Sequence, residues 1–162
     1  MHVHTQYSLL DGQIPIPKMI DKAIADGMRG IAITDHGNMM GVKEFFNCCK
    51  KKNEKLSAEG KHFKPVFGCE VYVAPRNKEL KEGKMDAANY HLLLLAKNST
   101  GYHNLIKLVS RAWTNGFYHH PRTDRADIER FHEGLICCSA CLGGELPRKI
   151  LSGDMDQAEE VI

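Results

Sequence analysis

Short apolar runs, most of them separated by helical stretches, constrain the fold of this chain more than any other feature. Gly30–Thr34, Lys64–Val73, His91–Ala96 and Leu135–Ser139 are dense in Val, Ile and Leu and too short for ordinary helices, so they read as buried strands. His2–Thr5 reads as a further short strand. Between them, Ile16, Met19, Ile20, Ala23 and Ile24 recur at the spacing of one helical face, led in by Pro15 and Pro17 and closed by Gly27 and Gly30. A second helix is predicted from Val42 to about Lys52. A third is capped by Ser99 or Thr100, with Tyr102, Leu105, Ile106, Val109, Ala112 and Trp113 facing inward. Shorter helices are predicted at Asp127–His132, Glu145–Leu151 and Asp154–Ile162. Lys50–Lys64 reads as a solvated charged stretch, and Arg76–Ala88 and Asn115–Asp124 read as loops. Strands alternating with helices predict an α/β fold of parallel βα units.

With 162 residues the chain suits one domain, or a piece of a slightly larger one. The last helix has no stop signal, which predicts that residues 1–162 lack the final strands of their sheet. Net charge is only +2, so no polyanionic partner is demanded by charge alone. Six cysteines include the adjacent pairs Cys48-Cys49 and Cys137-Cys138, a poor disulfide framework. There is no signal-peptide pattern and no apolar run near the roughly 20 residues that span a bilayer. These features predict a reduced, cytoplasmic protein with free thiols.

In a βα fold the functional rim lies at the strand C-termini, and potential metal ligands cluster there. His2 and His4, two residues apart on one strand, point the same way. Asp11 follows seven residues later, His36 ends a strand, and Cys141 follows the last visible one. Glu70 lies on the strand face opposite Phe67, Cys69, Val71 and Val73. Taken singly, each has an ordinary alternative: an accidental His pair, a turn after a strand, a solvent-facing glutamate, a small core cysteine at Cys138. Together, imidazoles, carboxylates and one thiolate make a ligand mix suited to zinc or manganese. Several such ligands suggest more than one ion, the arrangement that activates water and stabilises a leaving oxygen in phosphoester hydrolysis. His62, His103, His119, His120 and His132 read as surface histidines. Arg76, Lys78, Arg122 and Arg125 read as solvated loop cations able at most to track a nucleic-acid backbone.

Three segments resemble the first three motifs of the PHP (polymerase and histidinol phosphatase) family: His2-Val-His4-Thr-Gln-Tyr-Ser8-Leu-Leu-Asp11-Gly12, Gly30-Ile-Ala-Ile-Thr34-Asp35-His36-Gly37-Asn38 and Pro65-Val-Phe-Gly68-Cys-Glu70. Further segments are similar to the polymerase III alpha branch of that family: His91–Asn98, Gly101–Leu105, Gly116-Phe-Tyr118 with Pro121-Arg122, and Gly134–Ile136 with Ser139–Glu145. The resemblance implies a PHP-type distorted (βα)7 barrel, here C-terminally truncated. It implies up to three divalent ions in one pocket: His2 and His4 on one, Glu70 bridging to a second completed by His91 and Cys141, and Asp11 with His36 on a third. Asp35 would orient a histidine from behind. The family's fourth motif, an Asp-x-His, is not in this sequence, which implies fewer ions or weaker binding here. His91 begins its apolar run, whereas rim ligands on parallel strands sit at strand ends.

By the same resemblance the parent is the replicative DNA polymerase, a DNA-directed nucleotidyltransferase whose synthetic site lies outside these residues. The local chemistry implied is 3′-5′ exonuclease proofreading, with Asp11, His36 and Glu70 at its catalytic centre. The implied partners are a DNA 3′ end, the remaining polymerase domains and other replisome subunits, with no membrane. Two alternatives stand beside it: a metal-stapled structural and interaction module, and a small-molecule phosphatase of the histidinol-phosphatase type.

Overall fold

The computed structural model describes residues 1–162. Its first helix, α1 (Ile16–Ala25), has Pro17 in the first turn, where no backbone N–H is required, and buries Ile16, Met19, Ile20 and Ala23. It ends where Gly27, at φ 74°, lets the chain turn back so that the Met28 N–H reaches the Ala23 carbonyl at 3.0 Å. Strand β1 (Gly30–Ile33) follows, then α2 (Val42–Leu56), a turn longer than predicted because nothing breaks the helix before a short 3-10 segment at Ser57–Glu59 and Gly60. The long strand β2 is Lys64–Val73, α3 is Gly83–Ala87, β3 is Tyr90–Ala96 and α4 is Ser99–Thr114. The two-residue β4 (Arg122–Thr123), α5 (Arg125–Phe131), β5 (Leu135–Cys138), α6 (Glu145–Leu151) and α7 (Met155–Glu160) complete the chain.

The sheet runs β1-β2-β3-β5, with β4 also on β2. It is mixed rather than built only of parallel βα units. β1 and β4 pair with β2 in parallel, but β3 is antiparallel to both β2 and β5. β1 covers the first half of β2's edge and β4 the last two residues, with His36 bridging to Glu70 between them. The expected strand at His2–Thr5 forms no ladder, only an isolated bridge from Thr5 to Ile14. Val3 donates its N–H to the Thr34 side-chain hydroxyl (2.8 Å) and accepts from the Thr34 N–H (2.9 Å), so a side chain stands where a strand partner's carbonyl would be.

The sheet has two dissimilar faces. Ile33, Phe45, Phe63 and α1 form one apolar cluster, and Cys69, Val71, Val73, Leu94, Leu105 and Leu108 form another, so the odd-numbered residues of β2 face the helices. The even-numbered face begins dry, where Ala32, Leu93 and Leu95 pack with Val66 and Cys138. Gly68 sits in that layer because a Cβ there would lie 2.6 Å from Leu95 Cδ2 and 2.7 Å from the Leu94 carbonyl. Further along the same face come Glu70 and Tyr72.

Several local expectations change. Asn98, not Ser99 or Thr100, caps α4: its side chain accepts from the Gly101 N–H at 2.9 Å, one residue earlier than expected. The buried face of α4 centres on Leu105, Leu108 and Ala112, leaving Ile106 and Trp113 at its margin, 38% and 43% exposed. Of the four loop cations, Arg76 and Arg125 stay solvent-exposed while pairing with acids, but Lys78 and Arg122 are buried. Arg122 is fully buried and donates to the carbonyls of Gly116, Asp86, Lys78 and Leu80 at 2.7–3.0 Å. Buried Lys78 pairs with Asp124 and Asp127 at 3.2 and 3.1 Å, Arg76 binds Asp86, and Arg125 binds Glu145. For Lys78 and Arg122, burial without these partners would be costly, so their contacts and the loop fold together. All six cysteines are free thiols, and no helix is long and apolar enough to cross a membrane.

Candidate metal centre

Glu70 stands at the middle of the polar layer. Its side chain is 1% exposed, yet no lysine or arginine pairs with it. Four imidazoles surround it instead. His2 Nε2 and His91 Nδ1 lie 3.1 and 3.2 Å from Oε1, and His4 Nε2 and His36 Nδ1 lie 3.3 and 2.7 Å from Oε2. Burial opposes the charge on Glu70, but the contacts with His36, His4 and His91 outweigh it and hold the carboxyl well below the usual carboxylate range. His36 is raised to about 9, chiefly by Glu70, with burial opposing and Asp11 adding.

Asp11 and Cys141 occupy opposite edges of the cluster. Asp11 Oδ2 lies 2.9 Å from His36 Nε2, and Cys141 Sγ lies 3.4 Å from His91 Nδ1 while accepting from the Gly143 N–H at 3.3 Å. His91 reaches the rim despite beginning its strand. Because β3 is antiparallel to β2, its first residues lie beside the end of β2, with His91 opposite Tyr72. The sequence-predicted residues His2, His4, His36, Glu70 and His91 thus share one pocket, and Asp11 and Cys141 touch its margin.

The donor set fits divalent cations. His2 Nε2 and His4 Nε2 are 3.1 Å apart, and each lies 3.1–3.3 Å from a Glu70 oxygen. Ligands about 2.0–2.1 Å from a tetrahedral ion are themselves separated by roughly 3.3 Å. The atoms of His2, His4 and Glu70 form one group able to hold an ion, and those of His36, Glu70 and His91 form a second. The close contact of His36 Nδ1 with Glu70 Oε2 is misdirected for a hydrogen bond, so both atoms are buried without an aligned partner. An ion held between such atoms would satisfy them.

Asp35 makes no direct side-chain hydrogen bond to a histidine. Its carboxylate accepts from the Thr5 N–H (2.6 Å), the Thr5 hydroxyl (2.8 Å) and the Ser8 hydroxyl (2.8 Å). Since Ser8 donates to Asp35, its oxygen can only accept from the His36 backbone N–H (3.2 Å) and from His4 Nδ1 (3.2 Å). Ser8 was not singled out from the sequence; its signal is the four-residue offset from His4. Tyr72 was missed as well: its ring packs edge-on to His91 and parallel to His36, closing one wall of the pocket.

The PHP domain family model matches residues 1–162. The chain belongs to that family, and its fold is a mixed α/β sheet flanked by helices. It is similar to DNA polymerase III subunit alpha of Borreliella burgdorferi (46% identical over 166 residues, all of this chain and 13% of the relative). The same subunit of Treponema pallidum is 44% identical over 99% of this chain, and that of Thermus aquaticus 42% over 98%, again 13% of each relative. This chain therefore spans about an eighth of the relatives it matches, corresponding to their N-terminal region. Among solved structures, an amidohydrolase from Chromobacterium violaceum with bound sulfate and no metal superposes on 68% of this chain and 31% of its own, at 20% identity and a TM-score of 0.44.

Proposed function

We propose that this chain is the N-terminal PHP domain of a replicative DNA polymerase III alpha subunit and hydrolyses phosphodiester bonds at a DNA 3′ end with divalent ions, as a proofreading exonuclease. The observation that carries this reading is Glu70, a buried carboxylate ringed by four imidazoles and no basic side chain. His2, His4 and Glu70 would hold one ion; Glu70, His91 and Cys141 a second; Asp11 and His36 a third. Divalent ions in such a pocket supply Lewis acidity and lower the pKa of water.

The chain's own residues do the rest. Glu70 keeps its negative charge at neutral pH and so favours cation capture over protonation. Asp11, on the exposed side of His36, is held below the usual carboxylate range chiefly by that imidazole, so it stays ionised at neutral pH and available to a cation. Zinc and manganese both match the imidazole, carboxylate and thiolate set.

The intact protein carrying this chain should release a mispaired 3′ nucleotide in a metal-dependent reaction, and His4→Ala or Glu70→Ala should abolish both tight metal binding and that release. Full nuclease activity in both variants would overturn the mechanism. A metal-staple reading stands second, favoured because the candidate ligands come from five separate segments that ions would tie together. In that case chelation would unfold the domain while the intact protein showed no metal-dependent exonuclease. Equal or faster release of phosphate from small monoesters would favour a small-molecule phosphatase instead.

A further inference from the structure

Two aromatic stacks meet at Gly37, the residue after His36, and neither belongs to the hydrophobic core. In the first, His120 lies over Tyr72, with ring centroids 4.5 Å apart and planes 29° apart. Tyr72 in turn packs against His36 and His91. His120 is exposed, so its outer face is free. In the second, Trp113 and Phe117 stack at 5.6 Å while 43% and 45% exposed. Trp113 Nε1 donates to the Gly37 carbonyl at 2.8 Å. From the other side, Pro121 and Tyr72 approach Gly37 so closely that a Cβ there would lie 2.8 and 3.1 Å from them.

The segment that carries these rings is held rigidly. Arg122 has no carboxylate partner; its guanidinium clamps backbone carbonyls on both sides of the loop, that of Gly116 included. Gly116 is required because a Cβ would lie 1.9 Å from the Arg122 carbonyl. His119 takes φ 60°, a conformation a non-glycine residue adopts at a cost, and that turn delivers His120 onto Tyr72. A buried cation and a strained residue fix a loop whose visible product is a flat ring at the pocket mouth. Partial burial, then His119 and His91, hold His120 below the usual histidine range, so at neutral pH it offers a neutral face rather than a charge for phosphate.

We propose that the His120–Tyr72 stack is a platform for the terminal unpaired base of a single-stranded nucleic-acid 3′ end, with Trp113–Phe117 receiving a neighbouring base. Exposed aromatic faces bind unpaired bases of any sequence, because every base has a π-face. Stacking there would leave the last phosphodiester beside the ligand cluster. This rests on the nucleic-acid reading of the pocket, but it concerns base recognition, which can fail independently of hydrolysis.

The test uses the intact protein and unpaired oligonucleotides with 2-aminopurine as the 3′-terminal base and a phosphorothioate last linkage. The expected result is quenching of the 2-aminopurine on binding. His120→Ala should remove the quenching and weaken binding about tenfold, while His120→Phe should keep both. An oligonucleotide with an abasic 3′ end should bind wild type and His120→Ala equally. The platform is overturned if His120→Ala binds and quenches as wild type does, or if the abasic end loses as much affinity as the complete one. Absence of metal-dependent release from an unmodified end, with His120-dependent quenching intact, would instead remove the hydrolytic reading and leave the platform standing.

Discussion

Ser8 Oγ lies 3.2 Å from His4 Nδ1, and because its proton goes to Asp35, the His4 nitrogen must be the donor. That contact fixes the proton on Nδ1 and leaves the lone pair of Nε2 facing Glu70 and His2. The charge of Asp35 thus reaches the pocket through one hydroxyl.

Ser8→Ala should therefore lower metal affinity about 10- to 100-fold with little change in fold, the usual scale for losing a group that orients a ligand. A competition titration against a metal-sensitive dye would read it. Ser8→Thr, which keeps the hydroxyl, should recover most of the loss. An unchanged dissociation constant in Ser8→Ala would show that Ser8 does not set the tautomer.

Metal loading should release protons near neutral pH. Without metal, His36 is raised to about 9, mainly by Glu70 with Asp11 adding, so it is charged at pH 7 and must lose its proton to ligate an ion. In the metal-free protein this raised value contributes stability fully present below the ordinary histidine value and lost as pH climbs through about 9. Metal affinity should move the other way and rise with pH over that interval. Calorimetric titration of metal in two buffers of different ionisation enthalpy measures the proton count; identical apparent enthalpies would contradict it.

Acid should weaken the fold through Asp127. Burial raises its carboxyl, but Arg111 and Lys78 outweigh that and hold it below the usual value. A depressed carboxylate contributes stability that is present above the unfolded value, about 3.9, and disappears as pH falls through the lower folded one. Urea midpoints should fall steeply as pH drops below about 4. Asp127→Asn should be less stable at pH 7 and should show a flatter acid limb. Parallel acid limbs in the two proteins would assign the loss elsewhere.

Arg122→Met should destabilise by several kcal/mol, since it leaves four carbonyls without their donor and each buried orphan costs about 1–3 kcal/mol. It should also free the Gly116–Pro121 loop, giving faster amide hydrogen exchange there than at β2. A uniform change across the chain would mean that Arg122 supports the whole fold and not this loop in particular.

Much of this arrangement is legible in the sequence where the signal is local. The two-residue spacing of His2 and His4 and the alternation that separates Glu70 from Cys69 and Val71 require only strand geometry. Direction is not local: nothing in the run from His91 to Ala96 says that it pairs antiparallel, and only that direction carries its first residue to the rim. Lys78 and Arg122 read as loop cations because their partners, Asp124, Asp127 and scattered carbonyls, are brought together by tertiary folding. The cap of α4 slipped by one residue because Asn98, Ser99 and Thr100 are all competent caps and backbone geometry decides among them. His120 looked ordinary because its significance comes from Tyr72, 48 positions away in sequence and adjacent in space.

β2 alternates between the helix-facing layer and the ligand layer, and Glu70 belongs to the second. A slip of one position against β3 would turn Cys69 or Val71 inward and drive the carboxylate among leucines. Correct strand alignment and a cation-competent pocket are thus a single event. Metal uptake during refolding would act as a proofreader of the sheet itself, registering only those molecules whose central strand has seated true.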